Sequence, residues 1–317
     1  MTTSKIAFIG LTRWSAALGR ELAGRSAARR VLFADDPDSA RGGVKSGAFS
    51  AAEWNLIAAV DGAQAVIVSG PVNRQVEWIR AIAGELAAET AVVALTPVFG
   101  QLAELRLPEG RGLALAHPLI DPGRPTDPEP EVDWSAVDLF ANGAWLLACA
   151  PRNDAALALA ADLARAVKAA PYFMDPAEHD LAAAGADGAP QLLAVALLAA
   201  AGRPGWAELR RAADLNFATA TRASETAVPA DWLANRAALA EALGAVSSEL
   251  ERLRAALLAE DEAALTAALA EVRDRRAAWL RSRAAGDWEP TAHTQTGLPT
   301  LGESLGRLLL GGLGRKR

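Results

Sequence analysis

The sequence predicts an α/β domain built on a parallel sheet, followed by an all-α domain. Three observations carry this. Short apolar runs in the first half alternate with stretches of helical spacing, the pattern of βαβ units. The first apolar run ends on a glycine just before a helical pattern starts. Beyond about Asp175 strand signals all but vanish and long helical patterns take over. At 317 residues the chain is long enough for two cores. The reading places an α/β domain at 1–172, a helical domain at 173–285 and a tail at 286–317.

The elements follow in order. Lys5 to Gly10 is a buried strand, and a helix runs from Trp14 to Ala23, ending at Gly24. A second strand, Arg30 to Ala34, stops at Asp35-Asp36-Pro37. Ser50 to Val60 reads as helix, and Ala65 to Ser69 as another buried strand closed by Gly70-Pro71. A helix from Val76 to Ala88 and a strand from Ala91 to Leu95 come next. After a break at Pro97 and Gly100, Leu113 to Ala116 is a strand. Prolines at 122, 125, 128 and 130 mark a loop. Ala144 to Ala150 reads as the last strand, with a helix after Asn153. The second domain reads as helices over Leu181–Ala201, Trp206–Thr221, Pro229–Ala259 and Glu262–Arg283.

Composition narrows the function classes. A net charge of −6 provides no basic field, which argues against a nucleic-acid partner. No run reaches the roughly 18 uninterrupted apolar residues of a membrane span, so no membrane association is expected. The start of the chain lacks the apolar core of a signal peptide, and a cytoplasmic protein is expected. The single cysteine, Cys149, lies in an apolar segment and reads as a small buried hydrophobe, not as part of a disulfide or metal framework. The tail ends in a short glycine-broken amphipathic stretch, Leu301 to Leu313, before Arg315-Lys316-Arg317.

The first turn carries the chemistry. In a Rossmann-type dinucleotide fold this loop reads G-x-G-x-x-G: a tight turn, a close approach to the pyrophosphate, and close helix packing. Here it is Gly10-Leu11-Thr12-Arg13-Trp14-Ser15, and only the first glycine remains. Thr12 puts a branched side chain where phosphate approaches, while Ser15 is small enough for the helix to pack. Arg13 either reaches a phosphate or faces solvent. Asp35 ends the second strand, where a carboxylate takes the ribose hydroxyls and repels a 2′-phosphate, favouring NAD over NADP. Equally, Asp35 to Asp38 reads as a turn and helix cap. Gly10, Leu11, Thr12, Arg13, Asp35, Gly70 and Pro71 form the expected cofactor set.

The order of segments resembles the prephenate and arogenate dehydrogenases of tyrosine biosynthesis, from Lys5 to about Leu243. The resemblance rests on Lys5–Leu11, Ala65–Val72, Ala116-His117-Pro118-Leu119, Leu139–Trp145, Glu178-His179-Asp180, Pro190–Leu193 and Thr221-Arg222. It implies a Rossmann domain followed by a helical dimerisation domain, and hence a homodimer. It also implies that His117 is the catalytic histidine that draws off the substrate hydroxyl proton as hydride leaves. An imidazole titrates near neutrality, and a strand end is where α/β sheets bind ligands. The alternative is a buried histidine bonded to backbone. Arg222 matches an arginine that holds a substrate carboxylate, a task suited to a forked guanidinium.

The departures from the family pattern are as informative. Where the family has D-x-G-S-x-K, this chain has Ala94-Leu95-Thr96-Pro97-Val98-Phe99. The serine is Pro97 and the lysine Phe99, so a hydroxyl and an ammonium are missing. The S-H-L-P-H segment is Asp187-Gly188-Ala189-Pro190-Gln191, which removes both histidines. Gln191 is able to hydrogen-bond a substrate but not to act as acid or base. His179 reads as a capping or packing residue and His293 as a solvated tail residue. Preorganised donors are each worth about 10²–10³ in rate, so several losses together cripple the family reaction unless Thr96, Gln191 or Arg222 compensate.

Three expectations follow. The chain is an NAD-dependent dehydrogenase of prephenate or arogenate, a non-catalytic dimer that binds a small-molecule ligand or a partner, or a dehydrogenase of another small acid.

Overall fold

The structure is a computed structural model that describes residues 4–121, 138–149, 154–202 and 206–286. The proline-rich loop, the tail and His293 lie outside these. Two compact units result: Met1–Pro176 together with Ala278–Arg317, and Ala177–Ala277.

The first unit opens with β1 (Lys5–Ile9), α1 (Arg13–Ala23) and β2 (Arg29–Phe33). α2 (Pro37–Lys45), β3 (Ala51–Ala52) and α3 (Leu56–Val60) follow, then β4 (Ala65–Ser69) and α4 (Val72–Ile82). β5 (Ala91–Leu95), α5 (Gly100–Ala103), β6 (Gly112–Leu119), β7 (Ala144–Cys149), α6 (Asp154–Ala166) and β8 (Ala170–Phe173) complete it. The eight strands form one sheet in the order β3-β2-β1-β4-β5-β6-β7-β8. Pairing is parallel from β3 to β6, β7 runs antiparallel to β6, and β8 is parallel to β7. The parallel strands are continuous apolar runs because helices cover both faces. One face packs Phe8, Ile67, Leu95 and Trp145 with Leu18 and Leu22 of α1 and Leu159 of α6.

Several elements differ from the sequence reading. The helix expected over Val76–Ala88 is Val72–Ile82, a short helix Gly100–Ala103 forms in the expected break, and β6 runs on to Leu119. The helices expected over Trp206–Thr221 and Pro229–Ala259 are each broken, before Leu215 and at Asn235. The turn and helix cap read at Asp35 to Asp38 is present: Asp36 starts α2, accepting from the Ser39 and Asp38 amides (2.8 and 3.4 Å), with Pro37 in the first turn, while the body of the helix is masked in the sequence by Gly42-Gly43. The expected helix over Ser50–Val60 is split. Ala51-Ala52 pairs with β2, and Asn55 caps a separate short helix by accepting from the Ile57 and Ala58 amides. β8 was also unread, since Pro171 interrupts a short run; it lies at the sheet's edge, where a strand tolerates proline.

The second unit contains α7 (Pro176–Ala183), a π-helical turn (Ala184–Gly188), α8 (Ala189–Ala201), α9 (Trp206–Ala212) and α10 (Leu215–Thr221). A 3₁₀ turn (Arg222–Thr226), α11 (Pro229–Ala234), α12 (Arg236–Leu258) and α13 (Glu262–Ala285) follow, the end of α13 belonging to the first unit. The π turn sits just before Pro190, which has no amide to continue an α-helical ladder. A small core joins Ala184 and Ala189 to Leu239, with Trp232 and Leu243 against it. Gly188 packs closely there: a Cβ would lie 3.0 Å from a methyl of Leu239. The stretch Pro176–Ala201 is long and apolar enough by length and composition to cross a membrane, although it carries Glu178, Asp180 and Asp187.

Candidate functional site

Strand order reverses between β1 and β4, and ligands of such sheets bind outside the carboxyl ends of the strands at that point. The loop after β1 begins at Gly10, with φ +86° and its N–H bonded to the Phe33 carbonyl (2.8 Å). A Cβ there would stand 1.9 Å from the Ser69 carbonyl oxygen, so no other residue fits. Leu11 packs on the core.

Thr12 is the N-cap of α1. Its Oγ1 accepts from the Ser15 amide (3.3 Å), and the Thr12 amide donates to Ser15 Oγ (2.8 Å). The Ser15 hydroxyl donates in turn toward the Gly10 and Thr12 carbonyls (3.1 and 3.2 Å). This reciprocal capping box uses two of the amides that the helix N-terminus offers an anion. Thr12 Oγ1 also lies 2.5 Å from Ser69 Oγ, the last residue of β4. One hydroxyl bond therefore spans the point where the strand order reverses. The Arg13 guanidinium lies over the Trp14 ring, 5.9 Å from its centre.

Asp35 follows β2 and is half exposed. Its carboxylate accepts from Arg74 of α4 (2.7 Å), whose other arm bonds Glu77 and whose guanidinium lies over Trp78 (5.1 Å). The Asp35 hydrogen bond and charge raise the already high pKa of Arg74. Gly70 and Pro71 begin the turn into α4, and a Cβ on Gly70 would meet the Trp78 ring at 3.1 Å. Gln75, fully buried, donates to the Gly70 and Leu95 carbonyls (2.7 and 3.1 Å), tying the ends of β4 and β5, while its Oε1 has no partner among the described residues.

His117 lies one residue beyond the pairing of β6 with β5, which ends at Leu95–Ala116; only β7 flanks it, at Leu146. Its side chain is 5% exposed. The Trp14 ring lies against it, centres 5.7 Å apart and planes at 54°. Two rings in direct contact leave no space for a third between them, since each stacked layer needs about 3.5 Å. Thr96 is buried, its hydroxyl turned to the Val98 carbonyl (2.9 Å), and Phe99 is buried in full.

In the second unit Gln191 is 7% exposed and accepts from the Trp232 indole (2.9 Å). His179 is fully buried and donates from Nδ1 to Asp180 (2.9 Å), whose carbonyl accepts from Asn235 (2.7 Å). Arg222 is half buried at the end of α10 and has no ion pair or hydrogen-bond partner among the described side chains.

Sequence reasoning missed Ser69, Arg74, Trp78 and Gln75. Their positions on either side of Gly70-Pro71, Ser69 at the end of the strand and the others on the helix that follows, were the available signal; the pairings themselves are long-range, 57 residues for Thr12–Ser69 and 39 for Arg74–Asp35.

The set does not fit a dinucleotide as it stands. Asp35 stands at the end of β2, where such folds place a ribose-binding carboxylate, but the Thr12 and Ser69 hydroxyls are bonded to each other across the strand-order reversal, where such folds bind a diphosphate.

No protein-family model matches the sequence, and no curated protein sequence matches it. Solved structures do. Prephenate dehydrogenase from Aquifex aeolicus, in complex with hydroxyphenyl propionate and NAD+, superposes with a TM-score of 0.73 at 19% identity, over 87% of this chain and 98% of that one. Synechocystis arogenate dehydrogenase gives 0.65 at 20% identity, over 87% and 99%. These likenesses extend through the helices as well as the sheet, and the chain has the fold of the prephenate and arogenate dehydrogenases.

Proposed function

We propose that this protein is a non-catalytic form of the prephenate and arogenate dehydrogenase fold that binds an acidic small molecule without turning it over. The observation that carries the reading is the Trp14 ring lying on His117, the one histidine at the carboxyl rim of the sheet among the described residues. At 5% exposure under an indole, the imidazole offers little surface to a substrate hydroxyl. The rest of the set agrees. Pro97 and Phe99 bring neither hydroxyl nor charge, Gln191 is bonded to Trp232, and Gly188 is packed on Leu239. Arg222 is the exception: an unpaired, half-buried guanidinium suits a carboxylate ligand.

The exposed apolar residues of the helical unit support a homodimer. Leu193, Val195, Leu197 and Leu198 of α8 are exposed, as are Leu250, Leu257 and Leu258 of α12. Clusters of this kind mark association surfaces.

A second reading, an NAD-dependent dehydrogenase of prephenate, arogenate or another small acid, is favoured by the half-exposed Asp35 at the end of β2. Arg74 stands there between two carboxylates, Asp35 and Glu77, and the net negative cluster disfavours a 2′-phosphate, hence NADP. Calorimetric titration with NAD and NADP, then with prephenate and arogenate alone, separates the readings. The first predicts heat from a carboxylate ligand, lost in Arg222→Ala, and none from either dinucleotide. Binding of NAD by the unaltered protein, with NADH formed from any of these acids, would establish the second.

A further inference from the structure

We infer that the hydroxyl bridge between Thr12 and Ser69 is a lock that excludes a dinucleotide's diphosphate from a loop whose backbone is otherwise ready for it. The inference rests on the reading that the unaltered protein does no dinucleotide chemistry, and it names the atoms responsible for the binding half of that loss.

Position is the first argument. The sheet runs β3-β2-β1 on one side of the reversal and β4-β5-β6 on the other. Ser69 ends β4, and Thr12 caps the helix that follows β1. A bond of 2.5 Å between their side chains joins the two rims at the place where a diphosphate has to enter.

Hydrogen-bond accounting is the second. Ser69 is fully buried, and among the described residues its hydroxyl meets only Thr12 Oγ1. Any ligand that displaces Thr12 strands that buried hydroxyl, a cost an incoming phosphate must offset. Thr12 Oγ1 also holds the Ser15 amide, so the same displacement opens the helix cap. The lock is thus tied at both ends.

The third is the state of the backbone beneath it. Gly10 already has the positive φ of the tight turn, and Thr12 sits at φ −131°, ψ 171°, an extended conformation that glycine adopts without strain. Glycine at 12 would remove the bridge and keep the path of the loop. Threonine at this position is therefore a side-chain obstruction on an unchanged frame.

The test is calorimetric titration of the full chain with NAD for the unaltered protein, Thr12→Gly, Ser69→Ala and Thr12→Ser, with circular dichroism to confirm folding. Thr12→Gly is expected to bind NAD at least about tenfold tighter than the unaltered protein. Ser69→Ala is expected to shift in the same direction with the helix cap kept, and Thr12→Ser, which retains the hydroxyl, to stay unchanged. Folded Thr12→Gly and Ser69→Ala proteins that bind NAD no tighter, or more weakly, overturn the inference; weaker binding would mean that the Thr12 hydroxyl serves the phosphate. If Thr12→Gly fails to fold, Ser69→Ala decides alone. A parallel assay for NADH with prephenate and arogenate judges the proposed function separately. NADH formed by the unaltered protein overturns that reading whatever the variants bind, and binding gained without NADH supports both.

Discussion

At position 12 one threonine does two things that a sequence motif reports only as a missing glycine. It caps α1 and it bonds Ser69 across the sheet's reversal point. The first has only a weak local signal, because Ser15 stands where a capping box usually has Glu or Gln, and the sequence reads Thr12 only as a branched obstruction. The second has none, because its partner lies 57 residues away. The two separate in stability measurements: Thr12→Ala loses the cap and strands the buried Ser69 hydroxyl, and is expected to lower the unfolding free energy by about 2–4 kcal/mol, whereas Ser69→Ala keeps the cap and is expected to cost less, read from urea midpoints. Gly10→Ala is the severe case, since φ is +86° and the new Cβ falls 1.9 Å from the Ser69 carbonyl; loss of roughly 3 kcal/mol or failure to fold is expected. His117 lies within β6, paired with Leu146 but past the last pair with β5, so the expected strand end at Ala116 marks only where β5 stops. Nothing in the sequence says where an indole on the first helical turn will lie, and Trp14 covers the imidazole. Trp14→Ala should uncover His117, and diethyl pyrocarbonate should then modify it faster than in the unaltered protein. An unchanged rate would show that the indole does not shield it.

Elements with continuous apolar runs were legible almost to the residue: β1, β4 and β5 appear where the sequence placed them, because buried parallel strands need no alternation. The misses have one cause, tertiary context overriding weak local signal. α2 forms over a Gly-Gly pair because Asp36 caps it and Pro37 starts it. β8 forms despite Pro171 because an edge strand has one unpaired side. The Asp36 cap brings a pH dependence. Hydrogen bonds from the Ser39 hydroxyl, then from the Ser39 and Asp38 amides, hold its carboxyl below the usual pKa of 3.8. A lowered folded-state pKa means a contribution present above the unfolded value and lost as pH falls through the folded one. The stability difference between the unaltered protein and Asp36→Asn should therefore shrink as the pH falls below the usual carboxylate range. In the helical unit, restoring a histidine at 188 is expected to destabilise by about 1–3 kcal/mol through overpacking, since even a Cβ lies 3.0 Å from Leu239. A Gly188→His protein of undiminished stability would contradict the packing account.

On the scale of the whole molecule, the two-part organisation was visible as a change of period near Asp175, and the structure divides the chain at Pro176 and returns the residues from Ala278 to the first unit. Which groups would reach a ligand was less legible, because residues such as Gln191 and Asp35 have the right chemistry in the sequence yet are bonded to Trp232 and Arg74 in the fold. The exposed leucines of α8 and α12 predict a dimer by sedimentation equilibrium, and Leu197→Arg should shift it toward monomer. The central claim, a dehydrogenase fold whose rim histidine is covered and whose diphosphate position is locked, meets its most direct test in one assay. NAD and prephenate, then NAD and arogenate, are mixed with the unaltered protein and NADH absorbance is followed. The account predicts no NADH above the protein-free rate; NADH formation that scales with protein concentration and disappears in His117→Ala would contradict it.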